Sequence, residues 1–140
     1  DFTTGSLADL GSGAGFPGIV LAIYNDNEAF HVKLFEKSPV KRIFLESMIK
    51  ILNIRAQVFP NVYEQNIHDN FIVCRAFKKL DQVIQVSREI VKVPHKMIVL
   101  KGQNAQEDLE KAFKSQKYPY KIVKSMTNED SKIIIIKFDK

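Results

Sequence analysis

The sequence predicts an α/β fold: a seven-stranded, mostly parallel sheet with a C-terminal antiparallel hairpin. Three observations carry that reading. Short apolar runs alternate with helical periods throughout the 140 residues, with no internal repeat or low-complexity tract. A glycine-rich turn, "DLGSGAGFPG" at residues 9–18, follows the first apolar run directly and leads into a helical pattern. The last two apolar runs are separated only by the turn-rich "MTNEDS" of residues 126–131. That connection suits a hairpin and is too short for a crossover, which needs about a dozen residues or more. The length is that of a single domain, residues 1–140.

Each element has a local reason. "SLADL", 6–10, reads as the first strand. "FPGIVLAIY", 16–24, is the helix after it, with Pro17 in the first turn, where its missing N–H needs no partner. "FHVKLFE", 30–36, is the second strand. Ser38 then caps and Pro39 opens a helix whose expected apolar face is Val40, Ile43, Phe44, Met48, Ile51 and Leu52. Lys41, Arg42, Glu46 and Lys50 fall largely on the other side. Strands follow at 56–59 and 71–74, a helix at 80–91, a strand at 96–101 and a helix at 105–116. Residues 120–125 and 132–138 form the hairpin strands.

The net charge of +5 and pI near 9.3 fit a polyanionic partner, and fit a solvated lysine surface equally well. Cys74 is the one cysteine, which excludes an intrachain disulfide and disfavours a cysteine zinc site. His31, His68 and His95 lack metal-ligand spacing and are expected at the surface or at strand edges, so no metal is expected. No apolar run approaches a membrane span and no leader pattern opens the chain, so a cytoplasmic protein with no membrane partner is expected. The chain begins at Asp1, close to the glycine turn, and further sequence is expected upstream.

Gly11, Gly13 and Gly15 strip three side chains from the turn at the carboxyl end of the first strand, where open α/β sheets bind ligands. A ligand can lie against bare backbone there, near the amides of the helix start. Two readings compete. Gly13, Gly15 and Gly18 satisfy G-x-G-x-x-G, with Glu36 placed to hold a ribose, as in a dinucleotide-dependent oxidoreductase. Read from Asp9 the pattern is D-x-G-x-G-x-G, that of S-adenosylmethionine-dependent methyltransferases, and Glu36 serves the ribose equally. The second reading fits the element boundaries better, because Pro17 lies inside the first motif. A Walker lysine is absent from the loop, which argues against triphosphate hydrolysis.

"DLGSGAGFPGIVLAI", "LFEKSPVKRIFLESM", "FIVCRAFKKL" and "VLKGQNAQEDL" occur in the order and at the spacing of segments in bacterial 16S rRNA guanine-N7 methyltransferases. Over nearly its whole length the chain resembles this GidB or RsmG family. The resemblance implies a class I, Rossmann-like methyltransferase fold, S-adenosyl-L-methionine as cofactor, and methyl transfer to N7 of a guanine in 16S rRNA. The partner implied is 16S rRNA or the small ribosomal subunit. By the same resemblance Gly11, Gly13, Gly15 and Phe16 lie at the cofactor, Val62 and Tyr63 at the adenine, and Arg75 at the end of the fourth strand. The chain has "NVY", 61–63, where the family usually reads Arg-x-Glu, and Cys74 where the family has Ser. The family's N-terminal helical segment, with its His-containing motif, is not among these residues. A truncated, inactive methyltransferase-fold fragment is therefore the third reading, and cofactor binding with poor turnover is the expectation for residues 1–140.

Guanine N7 carries an in-plane lone pair and no hydrogen, so its methylation needs alignment rather than a general base. The fourth strand ends in Cys74, Arg75, Ala76, Phe77, without a carboxylate. Arg75 and Lys101 are the expected catalytic residues. Arg75 is suited to guanine O6 or the cofactor carboxylate, and Lys101 to an RNA phosphate. Phe77 is a candidate for stacking on the base or for core packing, and Cys74 is expected to be a buried thiol rather than a nucleophile.

Overall fold

The computed structural model describes residues 5–75 and 77–139; Ala76 lies outside the described residues. The elements are β1 (Ser6–Leu10), α1 (Gly18–Tyr24), β2 (His31–Phe35), α2 (Pro39–Leu52), β3 (Ala56–Phe59) and β4 (Phe71–Arg75). They continue with α3 (Leu80–Ile90), β5 (His95–Lys101), α4 (Ala105–Ala112), β6 (Tyr120–Lys124) and β7 (Lys132–Phe138). A single 3-10 turn at Val62–Glu64 follows β3.

The strands form one seven-stranded sheet in the order β3-β2-β1-β4-β5-β7-β6. Pairs from β3 to β5 are parallel, while β7 runs antiparallel to both β5 and β6. The expected hairpin is present, folded so that its second strand lies against β5. The chain builds outward through β2 and β3, then returns to place β4 on the other side of β1. The carboxyl ends of β1 and β4 thus diverge at the point where such sheets hold ligands.

Alternation along the strands sends side chains to two cores. On one face Leu7, Val32, Leu34, Phe71 and Val73 pack with Ile19 of α1 and Leu45 of α2. On the other Ala8, Leu10, Ile72, Cys74, Met97, Val99, Ile134 and Ile136 pack with Leu80, Val83 and Ile84 of α3 and Leu109 of α4. The central strands read as nearly unbroken apolar runs because both of their faces are covered.

The structure revises three expectations. Helix α2 starts as expected, with Ser38 Oγ accepting from the Lys41 N–H and Pro39 at the first position. Its buried side, however, is centred on fully buried Leu45, with Met48 and Ile49 packed beside it. Val40 and Ile51 are 77% and 74% exposed, and Ile43 and Phe44 are exposed as well. The helix is apolar around more than one side, so periodicity alone did not identify the side that meets the sheet. Helix α4 ends at Ala112 rather than near 116, because Phe113 turns into the core against Tyr118 and Tyr120.

The third revision concerns His95, which is buried at the start of β5. Its Nε2 lies 2.7 Å from Ser87 Oγ, its Nδ1 lies 2.9 Å from the Val93 carbonyl oxygen, and its ring stacks on Phe138. Two polar partners and an aromatic face make this site habitable for a neutral imidazole, and burial lowers its pKa. Among the described residues no group of His, Cys, Asp and Glu could hold a metal ion. No described helix is long and apolar enough to cross a membrane.

Candidate functional site

The glycine turn is pinned to β2. Gly11 N–H and Ser12 N–H both donate to the Phe35 carbonyl, at 2.9 and 3.0 Å, which brings the ends of β1 and β2 side by side. Gly13 N–H then donates to Glu36 Oε2 at 2.9 Å, and the other oxygen of Glu36 accepts from Ser38 N–H at 2.9 Å. One carboxylate thereby joins the glycine turn to the start of α2.

Gly13 has φ +57°, a conformation that side chains disfavour, and a Cβ there would meet nothing closer than the Gly11 carbonyl oxygen at 3.9 Å. The turn therefore presents bare backbone to open space. That space is a cleft of about 360 Å³ lined by Gly11, Gly13, Phe35, Glu36, Pro60, Val62, Tyr63 and Phe77, with Lys37, Lys41 and Lys78 also contributing. Asn61 Oδ1 accepts from Tyr63 N–H at 3.1 Å and shapes the short turn that delivers Val62 and Tyr63.

Asp9 supports this turn from beneath. Its Oδ2 accepts from Gly18 N–H at 3.0 Å and fixes the start of α1, while its Oδ1 is buried without a partner among the described residues. Burial pushes its carboxyl up to about 6; the Gly18 bond, Ser12 and the charge of Arg75 oppose the rise, and the charge of Glu36 adds to it.

A second cleft, of about 570 Å³, opens at the ends of β4 and β5. Arg75, Lys101 and the turn between β6 and β7 line it, and it shares Phe77 and Lys78 with the first. Phe77 packs against Gly11, where a Cβ would come within 2.7 Å of its ring. Half-buried at the edge of the core, Phe77 is the partition between the two spaces. Lys101 is neither free nor merely solvated: its Nζ is 2.6 Å from Asp108 Oδ2 on α4. Cys74 is buried and its thiol is pushed up to about 12, first by burial and then by the charge of Asp9, so it stays protonated.

The expected residues are thus distributed unequally. Gly11, Gly13, Glu36, Val62 and Tyr63 meet in the first cleft, and Arg75 and Lys101 in the second. Gly15 and Phe16 line neither. A Cβ on Gly15 would run into Ile19, so that glycine serves the packing of α1, and Phe16 is 53% exposed on the outer shoulder of the turn. Sequence reasoning did not assign Pro60, Lys37, Lys41 or Lys78 to the cleft. It also missed the contribution of the β6–β7 turn, for which local sequence carries no signal because sheet order alone brings it there.

The profile of the family described as GidB, rRNA small subunit methyltransferase G, matches residues 1–134. The chain belongs to this family. A Rickettsia felis protein named ribosomal RNA small subunit methyltransferase G is 38% identical over 129 residues, covering 91% of the chain and 65% of the relative. The chain therefore spans just under two thirds of that relative's length. Solved structures that share the fold are a SAM dependent methyltransferase from Aquifex aeolicus and M. jannaschii TYW2 in complex with AdoMet. The first has TM-score 0.74 at 10% identity, covering 100% of this chain and 85% of that one; the second has 0.68 at 15%, covering 99% and 70%. The GidB chain thus has the methyltransferase fold, and the antiparallel β7 between β5 and β6 separates it from the dinucleotide-binding order 3-2-1-4-5-6.

Proposed function

We propose that this chain is the cofactor-binding and catalytic domain of an enzyme that methylates N7 of one guanine in 16S rRNA, using S-adenosylmethionine. The observation that carries the reading is the Glu36 carboxylate, held by the amides of Gly13 and Ser38 at the mouth of a cleft with a bare glycine floor. Each oxygen of Glu36 has accepted one N–H and retains capacity for one ribose hydroxyl. Gly11 and Gly13 let the ligand approach the backbone, and Val62, Pro60, Phe35 and the Tyr63 ring offer apolar surface for adenine. These residues fit the cofactor, which when bound supplies a methyl group on a sulfonium. Gly15 and Phe16 act on this site indirectly, by shaping the turn.

The second cleft is suited to receive the guanine. N7 attacks with its own lone pair, so the residues around it need only align the base and exclude water. Arg75 and Phe77 line this cleft, and in this reading Arg75 donates to O6, the acceptor beside N7, while the Phe77 ring stacks on the base. The partner is 16S rRNA or the small subunit in the cytoplasm, in keeping with the family's name.

Calorimetry with S-adenosylhomocysteine tests the cofactor site. Gly13→Val and Glu36→Gln should each weaken binding at least tenfold, the first by filling the cleft and the second by presenting an amide donor to a backbone N–H. Unchanged affinity in both variants, or binding of NAD in place of S-adenosylhomocysteine, would sink the assignment. The product is tested by borohydride and aniline, which cleave RNA at N7-methylguanosine. Methyl groups found instead on an exocyclic amine or a cytosine carbon would refute the N7 reading.

A further inference from the structure

The second cleft carries an unusual charge balance for a chain with 16 acidic residues. Arg75, Lys78, Lys101 and Lys132 line it, and among the described residues no carboxylate does. Asp108 neutralises Lys101. Among the described residues no carboxylate lies within 4.0 Å of the charged nitrogens of Arg75, Lys78 or Lys132. Lys78 stands beyond the end of β4 and Lys132 at the start of β7, with β5 between them. Two strand spacings, about 10 Å, separate the axes of β4 and β7, so the two lysines approach the cleft from opposite sides of β5.

The outer wall of the cleft is the β6–β7 turn, through Ser125, Thr127 and Ser131. This turn is braced from within. Ser125 N–H donates to the Ser131 carbonyl at 3.0 Å, Ser131 N–H to the Asn128 carbonyl at 3.1 Å, and Asp130 N–H to Asn128 Oδ1 at 2.9 Å. Lys132 Nζ donates to the Glu129 carbonyl at 2.6 Å, which holds its ammonium at the base of the turn. Ser125 Oγ and Thr127 Oγ1 are 3.2 Å apart, so one hydroxyl proton is used between them and the other is left to donate outward. The braced turn presents hydroxyls and an ammonium to the cleft and leaves Glu129 and Asp130 outside its lining, opposite a second lysine and beside an aromatic ring, which matches the chemistry of a nucleotide with phosphates on both sides.

We propose that the β6–β7 turn is an RNA-gripping wall: Lys132 and Lys78 bind the phosphates flanking the target nucleotide, and Ser125 and Thr127 hydrogen-bond its sugar or phosphate. This inference rests on RNA being the substrate of the site described above. It assigns grip on the substrate to a hairpin turn that lines the second cleft and not the first.

The test uses the 140-residue chain and a fluorescein-labelled, guanine-containing single-stranded RNA 12-mer, with anisotropy measured from 50 to 200 mM salt. Each of Lys132→Gln and Lys78→Gln is expected to flatten the plot of log affinity against log salt by about 0.7, the loss of one phosphate contact on a single strand. Lys132→Arg should retain the wild-type slope. The Ser125→Ala/Thr127→Ala double variant should lower affinity several-fold with the slope unchanged. Lys121→Gln, on the exposed edge strand β6 and outside the cleft, should alter neither. S-adenosylhomocysteine affinity, read by calorimetry, should stay at the wild-type value in Lys132→Gln. A wild-type chain that does not bind the RNA, or an unchanged slope in both glutamine variants, overturns the inference. Loss of S-adenosylhomocysteine binding by the wild type would instead overturn the methyltransferase reading, whatever the RNA data show.

Discussion

Replacing Asp9 with asparagine is expected to remove a pH-dependent penalty on folding. The carboxyl rises from 3.8 to about 6 because it is buried, with one oxygen on the Gly18 N–H and the other without a partner among the described residues. At about 1.4 kcal/mol per pH unit, ionising it at neutral pH costs the fold about 3 kcal/mol. The folded-state value lies above the unfolded one, so the folded protein binds the extra proton. Stability from this group is full below about pH 3.8 and is lost as pH rises through about 6. Asparagine can keep an acceptor on Gly18 N–H, but its amide then occupies the unpartnered position, at a cost of about 1–3 kcal/mol at every pH. The net expectation is a variant less stable than wild type near pH 4.5. By pH 7.5 it should equal or exceed wild type, with the difference moving in its favour by about 2 kcal/mol across that interval. Urea denaturation of both proteins at pH 4.5, 6 and 7.5 reads this directly, and using the difference between them cancels the titration of every other carboxylate. A difference independent of pH would refute the reasoning, since it would mean that Asp9 has the same pKa in the folded chain as in the unfolded one.

Two further outcomes follow from the packing. His95 has its pKa lowered by burial, so its contribution to stability is full above about pH 6.5 and is lost as pH falls below that value. An NMR titration placing its midpoint at or above 6.5 would contradict the buried Ser87–His95 arrangement. In α2, Leu45→Ala is expected to cost about 2–5 kcal/mol in urea denaturation and Ile51→Lys less than about 0.5 kcal/mol. The reverse order would mean that the helix is rotated about its axis relative to the sheet.

The legible parts of this protein are those where local pattern and tertiary role coincide. Ser38 and Pro39 begin α2 in the structure as their chemistry requires, because a cap involves only its own turn. Glu36 was recognisable by its distance from the glycines, since a second strand lying beside the first fixes where the residue just past its end falls. The exposed apolar side of α2 was misjudged because Val40, Ile43 and Ile51 have the same composition as a core stripe, and only the sheet selects Leu45 instead. Lys101–Asp108 and the β6–β7 turn were invisible for another reason. Asp108 meets Lys101 from the following helix, and Ser125, Thr127 and Lys132 reach the cleft only because β7 inserts beside β5. Strand order is a long-range outcome that no window of sequence encodes.

Among the described residues the site is also poor in free bases. Asp9, Glu36 and Cys74 lie near the ends of β1, β2 and β4, and each is engaged by the fold. Asp9 is sealed beneath the turn and occupied by Gly18 N–H. Glu36 spends one lone pair of each oxygen on the amides that hold the loop. Cys74 faces the apolar core beside α3 and keeps its proton to about pH 12. Among the described residues, the charged side chains lining the second cleft are the cations Arg75, Lys78, Lys101 and Lys132. A substrate whose reacting atom bears a hydrogen would find no acceptor among these residues, whereas an atom that brings its own lone pair and is flanked by negative charge would need none. Guanine N7 within an RNA strand has both properties, so the charge pattern of the cleft and the burial of its neighbouring acids favour the same class of nucleophile.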